Sequence, residues 1–139
     1  MYLTKTPEII KPIAKDLLWN KARGERKIYL TFDDGPHPEI TRKVMDILDV
    51  YVAKATFFCV GENVEKHPEI CEELISRGHR LGGHTFDHSN GWKSSWTAYM
   101  RSYLKGQDMV KSDLFRPPYG RITSLQAKSI KRKSTIVMW

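Results

Sequence analysis

The tetrapeptide His-Pro-Glu-Ile occurs twice, at 37–40 and at 67–70, and each copy follows a short run of β-forming residues and opens a helical pattern. Ile28-Tyr29-Leu30-Thr31-Phe32 reads as a strand that stops at the turn signal Asp33-Asp34-Gly35-Pro36. Pro38 and Glu39 then start a helix, on whose face Ile40, Val44, Ile47, Leu48 and Tyr51 recur. A second strand spans 55–60 with Gly61 as its stop, and Ile70, Leu74 and the terminating Gly78 mark the next helix. One strand and one helix per thirty residues is the repeat of a parallel βα fold. Further strands fit near 79–82, 114–115 and 135–139, with helices near 95–110 and 122–131, which makes an α/β chain of about five parallel strands.

The 139 residues suit a single domain. With 40% hydrophobic and 28% charged residues, a disordered, collagenous or coiled-coil chain is excluded. Lys and Arg number 23 against 16 acids, a net charge of +7 that favours solubility and acidic partners without specifying a nucleic-acid surface. The basic stretch 121–133 holds Arg121, Lys128, Lys131, Arg132 and Lys133 without an acid, and reads as a solvated helix face. Cys59 and Cys71 form no Cys-x-x-Cys pair and read as buried thiols. No uncharged run approaches the roughly 20 residues of a membrane span. Residues 1–19 are broken by Lys5, Glu8, Lys11, Lys15 and Asp16, unlike the apolar core of a signal peptide, so the default address is cytoplasmic.

Parallel strands joined by right-handed crossovers put all their carboxyl ends on one side, where ligands bind in barrels and open α/β sheets. That face should gather Asp33 and Asp34, then His84 and His88, then Arg116. Two imidazoles four residues apart plus one carboxylate suit zinc or another divalent first-row metal, although the spacing alone also fits histidines that cap or pack a loop. Adjacent carboxylates at a strand end repel unless a cation or different tasks separate them. One can hold a metal while the other accepts a proton from water, yet Asp-Gly-Pro is also ordinary turn chemistry. Arg116 is an always-charged fork that could orient a carboxylate, in a loop stiffened by Pro117 and Pro118.

Taken together, Thr31-Phe32-Asp33-Asp34-Gly35-Pro36, His84-Thr85-x-x-His88 and Arg116-Pro117-Pro118-Tyr119-Gly120 resemble the motifs of the polysaccharide deacetylases, the fourth family of carbohydrate esterases. The resemblance runs from about Lys27 to the last residue. It implies a distorted (β/α) barrel, usually of seven or eight strands, and metal-dependent removal of N- or O-acetyl groups from the sugars of a polysaccharide. It implies Asp33 as catalytic base, Asp34, His84 and His88 as metal ligands, Arg116 as the residue orienting the base, and the Tyr119 N–H as an oxyanion donor. Zinc is the first choice of metal, with cobalt, nickel or iron as alternatives. Residues 1–26 then form a lead-in, and 27–139 a catalytic domain incomplete at its C-terminal end.

Trp92, Trp96, Tyr99 and Tyr103 recur at helical spacing, which favours a core stripe over a sugar-stacking platform. Trp92, nearest His88, is the exception, and with Pro118 and Tyr119 it is a candidate substrate contact. The family's later acid-and-tryptophan motif and its leaving-group histidine are not complete here, and Gly83 stands where many members have asparagine. His37, His67 and His79 read as structural. The sequence ends on the apolar run Ile136-Val137-Met138-Trp139, so a barrel cut in mid-strand is expected. Its last strand should be covered by the lead-in or by a second copy of the chain. Reduced activity is expected, with an inactive metal- or carbohydrate-binding remnant as the rival reading and a basic nucleic-acid binder as a distant third.

Overall fold

The computed structural model of the protein describes residues 17–21, 24 and 26–139. Six strands form one sheet: β1 (Leu17–Leu18), β2 (Leu30–Gly35), β3 (Ala55–Cys59), β4 (Arg80–Gly83), β5 (Leu114–Phe115) and β6 (Thr135–Val137). Their spatial order is β1-β6-β5-β4-β3-β2, and every neighbouring pair is parallel. Five α-helices lie between them: α1 (Ile40–Val50), α2 (Gly61–Lys66), α3 (Pro68–Ser76), α4 (Trp96–Val110) and α5 (Ser124–Ile130). Among the described residues the sheet is open, with β1 and β2 as its two edges. None of these helices is long and apolar enough to cross a membrane.

The sixth strand is a correction to the five expected. Leu17 and Leu18, inside the stretch expected to be a lead-in, pair with Ile136 and Val137, and the Met138 N–H donates to the Leu18 carbonyl at 2.8 Å. A strand of two residues following Lys15 and Asp16 carries no periodicity of its own, so only its partner reveals it. Its pairing covers the edge of β6, so that edge is not open to a second chain. The strand expected from Ile28, β2, begins only at Leu30, leaving Ile28 and Tyr29 exposed.

Helix α2 is a second correction. Gly61, expected only to stop a strand, is also the first residue of a helix. A Cβ there would lie 2.7 Å from the Phe86 ring and 3.2 Å from Gly106 Cα, so glycine lets α2 press against the histidine loop and α4. The helix near 95–110 is seen as Trp96–Val110, with the Ser95 hydroxyl accepting the Ala98 N–H at 3.2 Å. α5 starts after Thr123, which forms a reciprocal capping box with Gln126.

Two apolar clusters hold the layers together. One gathers Met45, Leu48, Phe57, Cys59, Ile70, Cys71 and Leu74, and so confirms both cysteines as buried free thiols. The other gathers Tyr99, Tyr103, Phe115, Ile130, Ile136 and Met138. The aromatic stripe therefore splits: Tyr99 and Tyr103 are core, whereas Trp92 and Trp96 are exposed. A cleft of about 590 Å³ lined by Thr31, Thr56, Phe58, Leu114 and Trp139 reaches Arg116 but not the histidines.

Candidate metal centre and active site

The carboxyl ends of β2, β4 and β5 do bring the expected residues to one place. The register between β2 and β3 shifts between Asp33 and Gly35, and Asp34 at this bulge has φ 68°. The Asn63 amide donates to the Asp34 carbonyl at 2.9 Å and holds the bend from α2. Both aspartates are thereby presented to the loops after β4 and β5, where a regular strand would send them to opposite faces. Six described non-glycine residues have left-handed φ values, and four of them belong to this site, Asp34 at the end of β2 and Thr85, His88 and Tyr119 in the loops after β4 and β5. Such conformations persist only where surrounding contacts enforce them, and they concentrate at functional sites.

Asp34, His84 and His88 offer one ligand atom each, all within 4.8 Å of one another. Asp34 Oδ1 lies 3.4 Å from His84 Nε2 and 3.1 Å from His88 Nε2. The opposite ring nitrogen fixes the tautomer of His84. His84 Nδ1 lies 2.7 Å from the Arg116 carbonyl, which can only accept, so Nδ1 carries the proton and Nε2 presents a lone pair to the group. His84 is 2% exposed, and this burial pushes its pKa below the ordinary imidazole range, against the opposing pull of Asp33. A neutral imidazole is the form that ligates a metal. His88 Nδ1 lies 3.1 Å from the Tyr119 hydroxyl, and the two rings meet edge to face at 4.7 Å. Three N and O donors that converge, with the outer nitrogen of His84 protonated, would suit an open divalent-metal site.

Asp33 points elsewhere. Its Oδ1 accepts from Arg116 Nη1 at 2.8 Å, and the same nitrogen donates to Thr31 Oγ1 at 2.9 Å. Arg116 is 3% exposed, with its guanidinium 4.1 Å from the Phe58 ring centre and donating to the Val137 and Met138 carbonyls at 3.3 and 3.4 Å. One aspartate is thus tied to a buried arginine and the other faces two imidazoles, which separates two otherwise repelling carboxylates. Pro118 is buried at the start of a short 3-10 turn, and Tyr119 follows at φ 59°. Among the described residues no backbone carbonyl takes the Tyr119 N–H, while those of Gly120 and Arg121 bond back into the turn.

Sequence reasoning missed the histidine loop's anchor. The Asp87 carboxylate accepts from the Ser89 and Ser102 hydroxyls, and the Phe86 N–H donates to the Ser102 carbonyl at 3.0 Å, which ties the loop to α4. The signal was Ser102, a small polar residue between Tyr99 and Tyr103 on an otherwise buried helix face. Trp92 lies outside the metal group, with its indole N–H donating to the Ile122 carbonyl at 3.2 Å. His37 accepts the N–H groups of Glu39 and Ile40 at 3.3 Å, His67 lies 3.7 Å from Glu69, and buried His79 accepts the Ala55 N–H at 3.3 Å. All three are outside the metal group.

Residues 20–135 match the family described as polysaccharide deacetylase. A peptidoglycan-N-acetylglucosamine deacetylase of Bacillus cereus is 38% identical over 128 residues, 87% of this chain and 45% of the relative. A chitooligosaccharide deacetylase of a Bradyrhizobium strain is 43% identical over 124 residues, 84% of this chain and 57% of the relative. Among solved structures, that of a peptidoglycan N-acetylglucosamine deacetylase superposes with a TM-score of 0.89 at 33% identity, covering 96% of this chain and 65% of the other. The chain thus spans roughly half to two thirds of the length of these three proteins.

Proposed function

The chain belongs to the polysaccharide deacetylase family, and from that membership we propose that it is a metal-dependent hydrolase removing acetyl groups from N-acetylated, or O-acetylated, sugars of a polysaccharide. The observation that carries this reading is the division of labour between neighbouring aspartates: Asp34 lies within 3.4 Å of both imidazoles, and Asp33 is held 2.8 Å from buried Arg116. Asp34, His84 and His88 would hold one divalent ion, zinc by ligand type, with cobalt, nickel and iron suited to the same donors. Such an ion, when bound, polarises the acetyl carbonyl and acidifies water. Asp33, held by Arg116, would take the proton from the attacking water. The Tyr119 N–H, which no backbone carbonyl takes among the described residues, would donate to the oxyanion as the carbonyl becomes tetrahedral. Pro118 stiffens the turn that aims it.

An amine must be protonated as its C–N bond breaks, and a positioned acid contributes about 10²–10⁴-fold. Among the described residues no further histidine joins the group. The 139-residue chain should therefore favour esters, whose leaving group needs that proton less. The test compares an activated acetyl ester with N-acetylated chitooligosaccharide. Ester turnover should exceed amide turnover and disappear in Asp33→Asn; turnover that survives this change would remove Asp33 from the mechanism, and amide turnover equal to ester turnover would show that an acid is supplied.

A further inference from the structure

His88 is the member of the metal group that the sheet holds least. His84 directly follows β4, its N–H donates to the Cys59 carbonyl at 2.9 Å, and its ring is buried against the Arg116 carbonyl. His88 stands four residues further on at φ 55°, with Nε2 3.1 Å from Asp34 Oδ1. A left-handed conformation is unfavourable for a residue with a Cβ and persists only where neighbours enforce it.

Two helices enforce it. The N–H groups of Gly61 and Glu62, the first two residues of α2, donate to the Thr85 and Phe86 carbonyls at 2.9 and 2.8 Å. On α4, Ser102 and Gly106 are one turn apart, and a Cβ at Gly106 would lie 2.8 Å from the Thr85 carbonyl carbon. These contacts reach only as far as Phe86. Beyond it, a single atom takes over: Asp87 Oδ1 accepts from the hydroxyls of both Ser89 and Ser102. The residues on either side of His88 are thereby joined to each other and to α4. The Ser102 hydroxyl spends its one proton on Asp87 while accepting the Phe86 N–H at 3.1 Å, and the Ser89 N–H donates to Thr85 Oγ1 at 2.9 Å.

Asp87 is exposed and lies outside the group that could hold an ion, so neither core packing nor ligation accounts for it. Its carboxylate is a charged acceptor, which makes each hydroxyl bond stronger than one between neutral groups. Ser102, by contrast, is buried between Tyr99 and Tyr103, a polar side chain on a core-facing turn of α4.

We propose that Asp87 and Ser102 are positioning residues that preset the affinity of the metal site by holding His88 in its left-handed conformation. The inference rests on the reading of Asp34, His84 and His88 as metal ligands and adds two residues that lie outside that group. A ligand held in place before the ion arrives has no ordering left to undergo on binding.

Zinc titration of the chelator-stripped 139-residue chain in competition with a chromophoric chelator tests this. Asp87→Ala should weaken zinc binding about tenfold, the low end of the range for residues that support metal ligands. Ser102→Ala should cost a similar factor, and the double variant little more than either single change, because both sever one tie. Asp87→Asn keeps an oxygen that accepts from both hydroxyls and should stay within about threefold of wild type. Urea midpoints of the metal-free proteins separate positioning from folding. A tie that only stabilises the fold would lower the midpoint and leave the zinc affinity of the folded protein at the wild-type value, which would overturn the proposal. Strictly additive losses would overturn it too, as would Asp87→Asn binding as weakly as Asp87→Ala, since the metal would then be responding to the charge. A wild-type chain that binds no zinc refutes the metal site itself, whereas one equivalent bound equally well by wild type and Asp87→Ala refutes the positioning role alone.

Discussion

Arg116→Met removes a charge that ties the sheet to the site while keeping an apolar stem of similar length. The guanidinium loses its bonds to Asp33 and Thr31 at 2.8 and 2.9 Å, two longer bonds to the Val137 and Met138 carbonyls, and its place over Phe58. Breaking a buried ion pair by deleting one partner costs about 3–5 kcal/mol. Asp33 keeps 30% of its side chain exposed and can recover part of its hydration, which places the loss near the lower end, at about 3 kcal/mol. For a chain of this size that lowers the melting temperature by roughly 10 °C. Arg116→Lys keeps the charge and loses the fork, so its stability should fall between Met and wild type. Urea unfolding followed by circular dichroism gives the numbers, with an unchanged m-value showing that the native state is intact. Arg116→Met within about 1 kcal/mol of wild type would refute the estimate, because an arginine so little needed could not be what positions Asp33.

Burial holds the pKa of His79 below the ordinary imidazole range, helped by Lys54 and Arg77 and opposed by Asp49. The unfolded chain then binds the proton more readily, so stability present above about pH 6.5 is lost as pH falls towards the folded value, at no more than about 1.4 kcal/mol per pH unit. Urea midpoints between about pH 7.5 and 5.5 should fall less steeply in His79→Gln, and parallel curves for the two proteins would contradict the assignment. A Cβ at Gly83 would overlap Gln107 Oε1, whose amide is pinned at 2.7 Å to the Ser112 carbonyl. Gly83→Ala should therefore cost about 1–3 kcal/mol and cost less in a Gln107→Ala background, and additive losses in a double-mutant cycle would rule out that contact.

The sequence made the repeat legible because strand and helix periods survive in short windows, and three motifs separated by tens of residues fell at the ends of β2, β4 and β5 as the topology requires. Asp33, Asp34, His84, His88 and Arg116 could be found this way because each sits beside a local turn signal. Other features were set by partners distant in sequence. Leu17 and Leu18 become a strand only against Ile136 and Val137. Gly61 opens a helix because Phe86 and Gly106 crowd it. The left-handed conformations of Asp34 and Tyr119, the His88 contact with the Tyr119 hydroxyl and the anchoring of Asp87 on Ser102 arise where loops meet, which no single window contains. Trp92 has the spacing of the α4 stripe but precedes the helix, so it is exposed where Tyr99 is buried.

Metal stoichiometry read together with turnover tests the central claim most directly. After removal of metal with a chelator, wild-type protein titrated with zinc should bind one equivalent and regain acetyl-ester hydrolysis in proportion. Asp33→Asn should bind the same single equivalent without turnover, and the double change Asp34→Ala with His88→Ala should bind none. Full turnover in the chelated protein, or an undiminished equivalent of zinc in that double variant, would contradict the account.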